Sequence, residues 1–212
     1  MKHDDSDNQP DNLAAVDIPI PLLCATHFTS KRPQLKFLVS EIGRWNKTLN
    51  LVADPTPDVV SRSHIADSTQ LLRIAPTATQ WLDIGTGAGF PGMVIAILLS
   101  SLPGARVHCV ESDHRKCAYL RHVAGETNAP AVICCDQIEA LPRESLRSID
   151  VVTARAFSTL PRLIRLSEFW IEGGATGLFP RAAEETSQSK YWKYKNTLNF
   201  TLYQAQQIPV TQ

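Results

Sequence analysis

The stretch WLDIGTGAGFPG, residues 81–92, places four glycines and a proline directly behind a short apolar run that ends in an aspartate. Such a run reads as a buried strand, and the glycines after it read as a turn whose bare backbone can come close to a ligand. Two phosphate-binding patterns compete for it. A P-loop requires a lysine and a hydroxyl after its glycines to serve phosphates and magnesium, and no lysine follows any glycine here. Gly87-x-Gly89-x-x-Gly92 does match the dinucleotide pattern G-x-G-x-x-G, with Glu111 at the end of a second apolar run as its acidic partner.

Two residues weigh against a pyrophosphate. Asp83 stands two places before Gly85, where a carboxylate repels phosphate and pairs with an ammonium group. Pro91 removes a backbone N–H at the start of the next helix, where a pyrophosphate would seek donors. S-adenosylmethionine has no phosphate, a cationic amine and a ribose diol. Asp83 is therefore expected near the amine, Gly85, Gly87 and Gly89 are expected to admit the ligand to the backbone, and Glu111 is expected to accept from the ribose hydroxyls. Plainer readings stand beside these: Asp83 as a support for the turn and the next helix, Glu111 as a solvated strand-end charge. Asp136 reads equally as a helix cap; in the cofactor reading the Ile138 and Glu139 that follow it flank the adenine.

Outward from the glycine stretch, short apolar runs alternate with helical patterns: QWLDI, a helix over 91–101, RVHCVE, a helix over 114–127, AVICC, IDVVTA, a helix over 159–172, and GATGLF. Near-continuous apolar strands separated by helices predict a doubly wound, Rossmann-like α/β domain over 77–212, with a mostly parallel sheet covered on both faces. Its ligand is expected beyond the carboxyl ends of the strands, where the strand order reverses. Before the domain, Leu35, Leu38, Ile42, Trp45 and Leu49 step by three and four as one face of a helix. DPTP at 54–57 breaks the chain, and a second helix over 58–75 stops at Pro76, so 31–76 reads as an N-terminal helical extension. The acidic, proline-containing residues 1–30 read as a mobile tail.

No apolar run approaches the ~20 residues that span a bilayer, and the polar N-terminus lacks a signal peptide's pattern. A soluble, cytoplasmic protein is expected, with no membrane partner. Five cysteines without C-x-x-C spacing predict reduced thiols and no metal site. The formal charge is zero, which gives no global footprint for nucleic acid, but residues 31–73 hold seven Lys or Arg against four Asp or Glu and leave room for a local basic face.

The segment after the fourth strand narrows the methyl acceptor. Enzymes that methylate exocyclic amines tend to carry Asn/Asp-Pro-Pro-aromatic there, whereas this chain has TARAF at 153–157. Cytosine-carbon chemistry uses a Pro-Cys or Thr-Cys nucleophile, and no cysteine here follows Pro or Thr. A guanine N7 has a free lone pair and needs no general base, so alignment alone can serve it.

The runs NKTLNLVADP, HIADS, WLDIGTGAGFPG, VESDHRKCAYLR, IEAL and VVTARAF, in this order, closely resemble the RsmG (GidB) family over about residues 35–180. The resemblance implies a class I methyltransferase that uses S-adenosylmethionine to methylate N7 of one guanine in 16S ribosomal RNA, with that RNA or the small ribosomal subunit as its partner. Carried over by position, it implies cofactor contacts at Gly85, Phe90, Ile138, Glu139 and Arg155, with Arg155 between cofactor and base as the one catalytic candidate. His64 and Asp67, three apart on a helix, read either as a pair that stabilises the helix or as part of an RNA-facing rim.

Three places depart from the family pattern. Arg62 sits one position early relative to the usual Arg-His. Arg181-Ala182 replaces Lys-Gly, keeping a charge that could face RNA. TLNFTLYQAQQIPV reads as the penultimate strand, which leaves the sheet without its last one. SKYWKYK at 189–195 reads either as an RNA-stacking stretch or as a solvated helix. A methyltransferase of another acceptor and a non-catalytic RNA-binding assembly protein both stay open, and an NAD oxidoreductase is a more distant third.

Overall fold

Gln80–Ile84 forms the central strand β1, and every residue from Trp81 to Ile84 is buried. The structure is a computed structural model, and it describes residues 29–146, 148–181, 192–197 and 200–205. Around β1 the chain runs α1 (Arg32–Leu49), α2 (Ala66–Ile74), β1, α3 (Gly92–Leu99), β2 (Arg106–Val110), α4 (His114–Thr127), β3 (Ala131–Cys134), β4 (Val151–Thr153), α5 (Leu160–Glu172), β5 (Thr176–Arg181), β6 (Trp192–Thr197) and β7 (Phe200–Ala205). The expected tail falls outside the described residues, apart from Thr29 and Ser30.

The sheet order is β3-β2-β1-β4-β5-β7-β6. Its first five strands are parallel, in a register that sets Asp83 beside Cys109 on β2 and Thr153 on β4. The order reverses between β1 and β4, which opens the ligand crevice beside the glycine loop.

Side chains alternate across the sheet and build two cores. Trp81, Val107, Cys109, Val151 and Leu178 belong to one, while Leu82, Val110, Val152 and Phe179 belong to the other. The first core also holds α3, which is apolar on all sides and buried at all eight positions, as such a helix must be. Leu35, Leu38, Ile42, Val60, Ile65 and Leu71 join the same core, so the helical extension and the sheet are sealed by one apolar interior.

The join between extension and domain is pinned by a buried carboxylate. Glu41 on α1 accepts from Trp45 Nε1 at 2.9 Å and from Arg44 at 3.4 Å, and it meets His122 Nε2 of α4 at 2.9 Å. Glu41→Ala leaves the Trp45 and His122 donors unmatched, for an expected loss of about 1–3 kcal/mol in urea unfolding. Glu41→Gln keeps a side-chain acceptor for Trp45 and is expected to lose less.

The C-terminal strands correct the sequence reading. Trp192–Thr197 is not the solvated helix but strand β6. Phe200–Ala205 inserts between β5 and β6 and pairs antiparallel with both, so the sheet has no gap there. The alternation of Trp192, Tyr194 and Asn196 with Lys193, Lys195 and Thr197 is the period-two pattern of a strand, and missing it left the count one strand short. Ser189–Tyr191 and residues 206–212 lie outside the described residues.

Candidate cofactor and acceptor site

A cavity of about 770 Å³ lies at the carboxyl ends of β1 to β4. One wall is the loop after β1. Its backbone donors are almost all spent inside the protein: Gly85 and Thr86 N–H on the Val110 carbonyl, Gly87 N–H on Glu111 Oε2, and Gly89 and Phe90 N–H on the Thr86 carbonyl. At the start of α3, Gly92 N–H donates to Asp83 Oδ2 at 2.9 Å and Met93 N–H to the Gly89 carbonyl. A pyrophosphate site needs such N–H groups free and converging. Here they are committed, which supports the exclusion that Pro91 suggested.

Glu111 occupies the edge of the cavity with its carboxylate fixed from two sides, by Gly87 N–H at 3.0 Å and Asp113 N–H at 2.8 Å. Each oxygen has used one acceptor position and keeps another. A rigid carboxylate with two spare lone pairs suits a vicinal diol. Beyond it, Asp136, Gln137, Ile138 and Glu139 form the next part of the wall; Ile138 is buried under it, and Glu139 is exposed and paired with Arg162 at 3.1 Å. Asp136 accepts from Gln137 N–H and caps no α-helix.

Arg155 follows β4 and gathers the residues read separately in the sequence. Its Nη2 hydrogen-bonds His64 Nδ1, and its Nη1 lies 4.0 Å from Asp67 Oδ2. His64 and Asp67 are thus both turned to Arg155, which replaces the reading of them as a helix-stabilising pair. A guanidinium only donates, so His64 Nδ1 accepts and its proton resides on Nε2. Burial and the Arg155 charge hold the imidazole's pKa down to about 4, so it is neutral near pH 7. The His64 ring stacks on Phe90 with centroids 4.9 Å apart.

Gly85, Gly87, Phe90, Glu111, Ile138, Glu139, His64 and Arg155 all line the cavity. Asp83, Gly89 and Asp67 are not part of its lining. Asp83 is wholly buried behind the loop, where it caps Gly92; Gly89 packs against Met93, whose Cβ would lie 2.9 Å from an added methyl. Direct contact of Asp83 with an ammonium group is corrected to support from behind, because the carboxylate is turned toward α3. Arg181 ends β5, opposite Thr201. Arg62 pairs with Asp58 at 2.8 Å. Sequence reasoning overlooked Leu51, Val52, Ser112 and Phe157, which also line the cavity. Only Phe157 carried a usable signal, as an aromatic residue just past a strand end.

Among the described residues no group of three or more metal-ligating side chains converges, and no helix is long and apolar enough to cross a membrane. Cys109, Cys117, Cys134 and Cys135 are free thiols.

The profile of GidB, described as rRNA small subunit methyltransferase G, matches residues 31–209. The chain belongs to this family. Ribosomal RNA small subunit methyltransferase G of a Methylorubrum extorquens strain is 40% identical over 168 residues, covering 77% of this chain and 79% of that protein. The corresponding protein of Bradyrhizobium diazoefficiens is 36% identical over 198 residues, covering 92% and 76%. A methyltransferase structure from Geobacter sulfurreducens superposes with a TM-score of 0.57 at 14% identity, over 80% of this chain and 87% of that one, and shows the shared fold. As a member of the GidB family the chain is an S-adenosylmethionine-dependent methyltransferase. The cavity lining has the features such a donor needs: the Glu111 carboxylate, held by two backbone N–H groups with acceptor positions to spare, the Ile138 and Glu139 wall beyond it, and the side-chain-free loop at Gly87.

Proposed function

We propose that this chain transfers the methyl group of S-adenosylmethionine to N7 of a guanine in 16S ribosomal RNA, guanine 527 in the RNA's own numbering. The observation that carries the donor half is the committed backbone of the glycine loop beside a rigid, half-free Glu111 carboxylate. The bound donor would supply an electrophilic methyl on a sulfonium. The protein's part is to hold, align and keep water out.

The acceptor half is supported by what the side chains around Arg155 are already doing. His64 Nδ1 spends its lone pair on Arg155, Asp67 faces the same guanidinium, and Asp83 is behind the loop. None of the three is placed to take a proton from a substrate. An N7 lone pair surrenders no proton before attack, so in-line positioning suffices. Arg155, as a fixed cation at the mouth, would orient the base, and the RNA-facing rim would include His64 and Arg181.

Borohydride and aniline cleavage of 16S RNA at N7-methylguanine, in a strain lacking the gene and in the same strain complemented, tests this. Loss of cleavage at one guanine and its return are expected. Unaltered cleavage would overturn the acceptor assignment. Glu111→Gln is expected to weaken donor binding about tenfold or more, the worth of one charge-assisted hydrogen bond. Isothermal calorimetry reads it directly.

A further inference from the structure

Phe157 is one of three large apolar side chains exposed among the described residues, at 38%, and of these it alone lines the cavity. It belongs to neither hydrophobic core. Packing therefore does not account for an aromatic ring at this position. Two local features hold it there. Ala156 has φ 51, a left-handed conformation that an alanine seldom adopts and that persists only where the surroundings impose it. On one side of Ala156 the Arg155 side chain is tied to His64 and Asp67; on the other, α5 begins at Leu160.

The ring lies directly on Gly85. A methyl group built on Gly85 would come within 2.2 Å of Phe157 Cδ2, so the glycine is needed for the ring as well as for its own φ of 73. The remaining exposed surface of the ring borders the cavity, two residues from Arg155.

We propose that Phe157 is the platform on which the acceptor base stacks for methyl transfer. This rests on the nucleobase acceptor of the proposed function and adds the residue that sets the plane of the base. Gly85 supports the ring from below, the Ala156 kink fixes its direction, and the purine lies on its open surface beside Arg155. Aromatic rings recognise any base by its π-face, so the platform orients the base, and the surrounding RNA contacts select which base arrives.

The test compares the natural 212-residue chain with Phe157→Ala, Phe157→Leu and Phe157→Trp, using small ribosomal subunits from a strain lacking the gene. Phe157→Ala is expected to raise KM for the subunit or lower kcat, reducing kcat/KM about 10-fold to 100-fold, the range of one lost base stack. Donor affinity by calorimetry is expected to stay within about twofold, since the ring is assigned to the base. Phe157→Trp restores most of the activity and Phe157→Leu, of similar bulk but without a π-face, does not. Equal activity of the leucine and natural chains overturns the platform. So does weaker donor binding with unchanged turnover at saturating donor, which would make Phe157 a cover for the cofactor. A natural chain inert toward the subunit overturns the acceptor reading and the platform together, whereas an active natural chain matched by Phe157→Ala overturns the platform alone.

Discussion

Asparagine in place of Asp83 is expected to gain about 4 kcal/mol of stability relative to the natural chain between pH 4 and pH 8. Asp83 is fully buried, and burial pushes its carboxyl up from the ordinary 3.8 to about 7, with the Gly92 N–H pulling the other way and the Glu111 charge adding to the rise. Below pH 3.8 both folded and unfolded chains hold the proton, so no charge is buried. Between 3.8 and about 7 the unfolded chain releases a proton that the folded chain retains, and stability falls through that window. Above 7 the full loss is present.

Asparagine cannot ionise, so it escapes this loss. It can still accept from Gly92 N–H. The other carboxyl oxygen of Asp83, Oδ1, makes no hydrogen bond, with the Thr86 hydroxyl beside it on the Asp83 backbone carbonyl. A protonated acid places one O–H there and an asparagine two N–H bonds, so the asparagine chain starts from a pH-independent deficit of about 1–3 kcal/mol. Ionisation of Asp83 is read from how far the gap moves between pH 4 and pH 8. Urea unfolding at pH 4, 6 and 8 measures the difference. A gap that does not move with pH would contradict a buried, reluctantly ionised Asp83.

Arg155→Ala is expected to slow methyl transfer about 100-fold at saturating donor and RNA, and Arg155→Lys to recover little of it. The guanidinium is held by His64 through one nitrogen and faces Asp67 through the other. A lysine ammonium is a single point charge on a flexible stem and cannot span both partners in a fixed plane. Without the fork, the cation loses its orientation, and under the proposed N7 acceptor, which gives up no proton before attack, alignment would be the main catalytic resource of the site. Single-turnover rates on small subunits read the effect. His64→Ala removes one of the two anchors and is expected to cost less than Arg155→Ala; a larger loss would move the principal role from Arg155 to His64.

Much of the cavity was legible in the sequence. Gly85, Gly87 and Glu111 follow from chemistry at known spacings: a strand, a bare turn, and an acidic residue one strand later. Ile138 and Glu139 follow from the cofactor reading of the third strand's end, while Phe90 and Arg155 rest on likeness to a family, since nothing in their side chains alone marks them. Asp83 was misdirected because spacing places a residue at a strand end without saying which way its side chain turns. In the fold its register beside Cys109 and Thr153 points it into the sheet's first core, toward Gly92. His64 and Asp67 were seen as neighbours on a helix, and their shared partner, some ninety residues away, was invisible.

The helical extension shows the same division. Leu35, Leu38 and Ile42 declared an apolar stripe by their spacing, but not the surface it covers. Glu41 carries no signal in the sequence pattern; it is buried because α4 brings His122 to it. At the C-terminus the alternating Trp192–Thr197 pattern was present, but mixed aromatics and lysines disguised it, and only pairing with β7 made it a strand.

Periodicity, turn composition and charge type are local properties, and by themselves they determined an α/β chain with a ligand loop after its first strand and weighed against a phosphate there. Which way Asp83 faces, what holds Arg155, and why Phe157 rests on Gly85 were decided by the tertiary structure. Those relations join residues 9 to 91 positions apart, and their energies exist only once the sheet has set its register and the chain has closed around the cavity.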